Sequence, residues 1–165
     1  MSQLHIRFKK VATPILECIR QDGTRTWQKS KPGMVPHDLA HYVVETHLGF
    51  TKGFYGLLAD GWDIEDFEKP KVNRPLALWP QNLPAEALIT EHLVNIVLTG
   101  LQPQAEAETL FASFGKILIA NALDWPDALD MNRFKTIQNR LGEILHDWHS
   151  LKVGEQLELT FPVVL

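Results

Sequence analysis

Alternation of polar and apolar residues at both ends of the chain constrains the fold more than any other feature of the sequence. Residues 5–9 and 156–161 alternate with the period of two that is typical of half-buried strands. Two further strand-like segments flank Asp22-Gly23, a dipeptide suited to a tight hairpin turn. We therefore expect a small antiparallel sheet made from an N-terminal hairpin and a C-terminal strand that returns to it.

The middle of the chain has helical periodicity instead. Residues 70–84 contain four prolines and predict a long connecting loop, because proline lacks a backbone donor and restricts its neighbours. We expect an α+β fold in which the sheet packs with a bundle of about four to five helices, in a single domain over 1–165. Helical or short apolar patterns cover 36–49, 53–59, 85–99, 104–122 and 127–148.

Composition excludes several functional classes. The chain is 45% hydrophobic and 22% charged, as ordinary globular proteins are, and its net charge of −4 argues against nucleic-acid binding. Cys18 is the single cysteine, so an intramolecular disulfide and a cysteine-rich zinc site are both excluded. The N-terminus does not resemble a signal peptide, and no apolar run approaches the roughly 20 residues of a membrane span. We expect a cytoplasmic protein without a membrane partner.

The segment His37-Asp38-Leu39-Ala40-His41 is the main candidate for chemistry. Residues four apart lie on one face of a helix, about 6 Å apart along its axis, so His37 and His41 can bind one divalent metal ion, for which zinc is the first choice. Asp38 occupies the place of the glutamate in HExxH metalloenzymes, but its side chain is shorter. Both direct ligation by Asp38 and a role in orienting a histidine are open.

Glu45 lies one helical turn beyond His41. It is about 12 Å along the axis from His37, too far to share an ion held between the two histidines, and is better placed as a hydrogen-bond partner of His41. Asp38 and Glu45 are therefore the candidate catalytic or orienting carboxylates. A mononuclear site needs its third ligand from elsewhere in the fold.

His92 is the first choice for that third ligand, ahead of Glu91 on the neighbouring face of the same predicted helix. Both the ligand role of His92 and the metal-binding role of the helix that contains His37 have alternatives. A histidine on an apolar helix face often makes only a local hydrogen bond. The polar arc that contains His37 and Glu45 also lies opposite an apolar arc, as on any helix at a protein surface.

Two stretches resemble a group of small bacterial proteins of unassigned function. They are HDLAHYVVETHLGFTKGFYGLLADGWDIEDF, residues 37–67, and LKVGEQLELTFP, residues 151–162. The HDxxH core is also similar to the proposed zinc motif of a ubiquinone-biosynthesis scaffold family. That motif continues to a glutamate twelve residues after its second histidine, where this chain has Gly53. The first resemblance implies no activity, and the second lacks one of its expected ligands.

The leading functional hypothesis is a divalent-metal-binding protein, with a hydrolase-like enzyme as its catalytic form. A metal ion would acidify water for attack on a small polar molecule. The alternative is a non-enzymatic module that binds a protein partner, for which the five tryptophans supply aromatic surface.

Overall fold

Four strands form one antiparallel sheet in the computed structural model, which describes residues 2–163 of the chain. The first three strands follow one another along the chain, and the fourth returns to pair with the first. The resulting order is third, second, first, fourth, which confirms the predicted sheet and the α+β fold. The strands are β1 (Ser2–Lys9), β2 (Ile15–Ile19), β3 (Arg25–Lys29) and β4 (Gln156–Val163).

Alternation along β1 gives the sheet an inner and an outer face. Leu4, Ile6 and Phe8 are fully buried against the helices, whereas the polar residues between them lie on the outer face. The hairpin that joins β2 to β3 turns at Gly23, whose φ of 84° is in the left-handed region that glycine adopts without strain. The predicted turn is therefore confirmed.

Six α-helices lie in the described part of the chain, of which the first three contact the sheet and the last three pack on the first helix or on one another. The helices are α1 (Met34–Leu48), α2 (Phe54–Ala59), α3 (Ile64–Glu68), α4 (Ala85–Thr99), α5 (Ala107–Ala120) and α6 (Met131–Ser150). Four of them are main helices of at least 14 residues, in agreement with the predicted bundle. The central helix α1 contacts α2, α4 and α6, so its side chains are buried in several directions.

The polar arc of α1 is inside the protein. Asp38, His41 and Glu45 are only 4%, 2% and 0% exposed. The interpretation of this arc as the exposed face of a surface helix is therefore wrong. Buried polar groups need partners, so the positions of their neighbours decide what the arc can do.

The proline-rich segment 70–84 connects α3 to α4 as an irregular stretch. It contains two single 3₁₀ turns, Leu76–Leu78 and Pro80–Asn82. This segment lets the chain travel from the edge of the sheet, where α3 contacts β3, to the start of α4 beside α1. No helix among residues 2–163 combines the length and the apolar character that crossing a membrane requires.

Candidate metal centre

His37 and His41 lie side by side near the start of α1. Their ring centroids are 4.7 Å apart. The helix begins after Gly33 and ends before Gly49, two glycines with positive φ angles, and it holds the two histidines one turn apart on one face. The predicted pairing of His37 with His41 is present in the structure.

Glu91 joins the two histidines from α4. Its Oε1 is 3.3 Å from His41 Nε2, and its Oε2 is 4.0 Å from His37 Nε2. Among residues 2–163, these three side chains are the one group whose potential ligand atoms all lie within 4.8 Å of one another. The group therefore has the composition of a metal centre with two imidazoles and one carboxylate.

The other nitrogen of each imidazole faces a carboxylate of α1. His41 Nδ1 is 3.4 Å from Glu45 Oε1, and His37 Nδ1 is 3.6 Å from Asp38 Oδ1. Histidines that bind metals commonly donate their second N–H to such a group, which fixes the tautomer and the ring orientation. Glu45 lies within hydrogen-bond distance of His41, whereas Asp38 lies beside His37 without making a hydrogen bond to it. An orienting role for the two carboxylates stays a prediction.

Glu45 is anchored by the first turn of α2. Its Oε2 accepts hydrogen bonds from the backbone N–H groups of Tyr55, at 3.0 Å, and Gly56, at 3.2 Å. A Cβ at Gly53 would lie only 2.4 Å from Glu45 Cδ, so the chain can pass beside this carboxylate only without a side chain. Gly53 therefore supports the site by leaving space.

The electrostatics of the cluster favour a positive charge at its centre. Burial would lower the pKa of His41, but Glu45 and Glu91 together raise it to about 9. Burial raises the pKa of Glu45, and His41 opposes that rise. Burial would also raise the pKa of Glu91, yet the neighbouring histidines lower it overall. A proton on His41 supplies that charge in the absence of a metal ion.

Asp38 is the least satisfied member of the cluster. Its Oδ2 and the Nδ1 of His37 are buried and make no hydrogen bond within the described residues. The Tyr55 hydroxyl donates to the backbone carbonyl of Asp38, at 3.0 Å, and not to its carboxylate. Because an ionised carboxylate is costly to bury without partners, Asp38 has unused capacity to accept hydrogen bonds.

The third group comes from the expected helix, α4, but it is Glu91 and not His92, which the helical pattern favoured. His92 is only partly buried and is not a member of the cluster, whereas Glu91 is. Glu91 lies four residues after Ala87 and three before Val94, both of which are buried. That spacing places Glu91 on the rim of the buried face of α4 and is the signal that identifies it. A ligand role for His92 stays a prediction.

A pocket of about 160 Å³ opens beside the cluster. Phe54 and Phe67 form an aromatic pair within it, with ring centroids 5.3 Å apart, and Phe54 also lies 5.6 Å from the ring of His41. The pocket gives a small molecule access to the side of the cluster where Glu91 is half-exposed. Its lining consists of Gln28, Met34, His37, Asp38, His41, Phe54, Ile64, Phe67, Glu68 and Glu91.

Comparisons of the chain with protein-family models, with curated proteins and with solved structures found no match. The resemblances described from the sequence stay predictions. The case for a function therefore depends on the geometry of the cluster and its pocket.

Proposed function

We propose that the protein binds a divalent metal ion through His37, His41 and Glu91. The observation that carries this proposal is the convergence of their ligand atoms within 4.8 Å of one another at the edge of a pocket. The carboxylates behind both imidazoles support it further, because they are arranged to orient metal ligands.

Zinc is the first choice of metal. Catalytic zinc sites have three protein ligands, of which two histidines and a glutamate are one established set, and leave a position for water or substrate. The same set of two histidines and one carboxylate also suits iron(II). Reconstitution with zinc, iron(II) and manganese(II) distinguishes the candidates by affinity and stoichiometry.

A hydrolase-like reaction is the activity that this arrangement supports best. A bound divalent ion would lower the pKa of a coordinated water molecule and polarise a carbonyl group of the substrate. Glu45 is fully buried and held by two backbone amides, so it acts as a positioning residue for His41. Asp38 would have the same role toward His37, which lies 3.6 Å away, and it also lines the pocket, where it can contact the substrate. Glu45 is not part of that lining.

Metal analysis of protein purified without a histidine tag tests the proposal. We expect close to one zinc, iron or manganese ion per chain, and loss of that ion in His37→Ala, His41→Ala and Glu91→Gln. His47→Ala is the matched control, because His47 is on the same helix as His37 and His41 but outside the cluster. Equal retention of metal by all four variants, or no binding after reconstitution, contradicts the proposal.

A second candidate function is the binding of an acidic protein partner by the outer face of the sheet. Trp27 is 57% exposed there and lines a shallow pocket with Lys9, Arg25 and the buried Glu17, whose single negative charge the two cations outnumber. The test is a titration with poly-glutamate, followed by the ¹⁹F NMR signal of fluorotryptophan at position 27. A shift that disappears at high salt and in Lys9→Ala supports this function, and an unchanged signal excludes it.

A further inference from the structure

The pocket beside the metal cluster combines apolar walls with acidic groups. Met34, Phe54, Ile64 and Phe67 supply the walls, and the polar lining includes three carboxylates, those of Asp38, Glu68 and Glu91. Among the described residues, no lysine or arginine lines it. The histidines of the cluster are therefore its only basic side chains.

We infer that this pocket binds a small uncharged or positively charged organic molecule whose apolar part is about the size of one aromatic ring. This inference rests on the proposed function, since the molecule would be the substrate of the metal centre. The inference also restricts the class of small polar substrate that the sequence predicts. The substrate must have an apolar part, and phosphorylated and carboxylated compounds are excluded.

The size of the molecule follows from the volume of the pocket. A cavity of about 150 Å³ lined by apolar side chains holds one benzene molecule, and this pocket measures about 160 Å³. Phe54 and Phe67 meet edge to face, with an interplanar angle of 66°, and thereby present aromatic surface to a flat guest. A second ring would have to extend past Glu68 and Glu91, both about half-exposed, into solvent.

The charge of the molecule follows from the carboxylates. Lys31 lies 3.4 Å from Glu68 but is 72% exposed, so it neutralises that carboxylate only weakly. Asp38 is buried and has no hydrogen-bond partner for its Oδ2. The three carboxylates of the lining, Asp38, Glu68 and Glu91, outnumber the two charges of a bound divalent ion. A cationic or neutral donor is stabilised in this environment, and an anion is repelled.

Asp38 gives the pocket its strongest selectivity. Its side chain is 6% exposed, and the residue lies in the lining between the histidines and the apolar walls. An N–H or O–H group of the guest at that end would meet a carboxylate that the chain itself leaves unpartnered. A buried carboxylate without a hydrogen-bond donor is energetically costly, so a guest that lacks a donor group is disfavoured.

Three probes of one ring each test the inference, namely benzylamine, benzamide and benzoate. They are titrated into the metal-free full-length protein, and binding is followed by amide NMR shifts of residues in the pocket. We expect shifts at Phe54, Ile64 and Phe67, and an affinity for benzoate about tenfold or more below that for the other two probes. Equal or tighter binding of benzoate, no binding of any probe, or shifts that map elsewhere overturns the inference.

Glu68→Gln and Glu65→Gln form a matched pair of variants on α3. Glu68 lines the pocket, whereas Glu65 is 77% exposed and does not, and each carboxylate has one weak lysine partner. We expect Glu68→Gln to weaken benzylamine binding by about two- to fivefold, as for a partly exposed charge. Glu65→Gln should leave it unchanged. Equal effects of the two substitutions overturn the charge argument.

Zinc titration of the same samples separates this inference from the proposed function. Probe binding without zinc binding would support the pocket and reject the metal centre. Zinc binding without probe binding would support the metal centre and reject the pocket.

Discussion

Two regions of the protein bury carboxylates, and they satisfy them in different ways. On the outer face of the sheet, Glu17 is surrounded by Lys9 at 3.0 Å, Arg25 at 3.5 Å and Arg7 at 3.8 Å. Burial would raise the pKa of Glu17, but these cations lower it overall. The chain therefore places three cations around this carboxylate, although its buried Oε2 makes no hydrogen bond of good geometry within the described residues.

The cluster on α1 has carboxylates but, within residues 2–163, no lysine or arginine paired with them. Asp38 and Glu45 are buried there and Glu91 is half-exposed, and their nearest basic groups are two histidines, which can lose their charge. A carboxylate network that includes lysines and arginines has its charge balanced by the chain, whereas one that includes only imidazoles can accept a cation from solution. This difference separates a structural ion-pair network from a candidate metal centre.

Among the substitutions that test this difference, replacement of a metal ligand should have the largest effect. We expect Glu91→Gln to lower zinc affinity by at least about 100-fold, since the carboxylate is the charged member of the ligand set. Glu17→Gln, which also neutralises a carboxylate, should leave zinc affinity unchanged. Competition with a chromophoric chelator measures both values. A similar loss in the two variants would mean that zinc responds to the net charge of the protein and not to this site.

Asp38→Asn should change stability and zinc affinity in opposite directions. The substitution removes a buried charge without a hydrogen-bond partner, so the metal-free protein should become more stable by about 1 kcal/mol. Zinc affinity should fall by about 10- to 100-fold, because His37 loses its orienting carboxylate. Glu17→Gln should instead lower stability, since it breaks an ion-pair network. Denaturant unfolding and zinc titration measure the two quantities, and a destabilised Asp38→Asn would contradict this account of Asp38.

Local patterns were sufficient to predict most of the fold and two of the three members of the cluster. Alternation at residues 5–9 and 156–161 and the turn at Gly23 identify the sheet, because strand periodicity depends on neighbouring residues. The pairing of His37 with His41 follows from helical spacing in the same way. These features need no knowledge of how the helices pack.

The remaining part of the site depends on long-range packing. Whether Glu91 or His92 faces α1 is a rotation of about 100° around the axis of α4, which is set by contacts between helices. The burial of Asp38 and Glu45 also requires α2 to lie over α1, and no local pattern encodes that placement. The sequence alone therefore left both the exposed and the buried interpretation of the arc open.

Gly53→Ala tests whether the anchoring of Glu45 needs the space beside it. The φ of Gly53 is −78°, so alanine is compatible with the backbone, and the expected cost comes from the contact with the fixed Glu45 side chain. We expect a loss of stability of about 1–3 kcal/mol, as for other overpacked sites, together with weaker zinc binding.

Gly142→Ala is the control for Gly53→Ala. Gly142 is inside α6, and a Cβ there would meet no atom within 4 Å. Alanine is the better helix former by about 1 kcal/mol, so this variant should be stabilised and should keep its zinc affinity. Denaturant unfolding measures both glycine variants. An equally stabilised Gly53→Ala would show that Glu45 moves freely.

The smallest expected effect of the difference between the two regions is on the pH dependence of the free energy of unfolding. The pKa of His41 is raised from 6.5 to about 9 in the folded protein, so its contribution is complete below about pH 6.5 and disappears as the pH rises toward 9. The pKa of Glu17 is lowered from 4.5, so its contribution is present above that value and disappears as the pH falls below it. The free energy of unfolding of the metal-free protein, measured across this pH range, should therefore decline at both the acidic and the alkaline end.

Each decline is assigned by one of the charge-neutralising variants. Glu91→Gln should flatten the alkaline decline, because Glu91 helps to raise the pKa of His41, and Glu17→Gln should flatten the acidic one. Zinc must displace the proton from His41, so the stabilisation by zinc should grow as the pH rises toward 9. Glu91→Gln should also reduce the acidic decline, since the pKa of Glu91 is lowered, so the alkaline side is the one that distinguishes the variants. If Glu17→Gln flattens the alkaline decline, or if stabilisation by zinc does not depend on pH over this interval, the two carboxylate regions do not differ in the way the geometry requires.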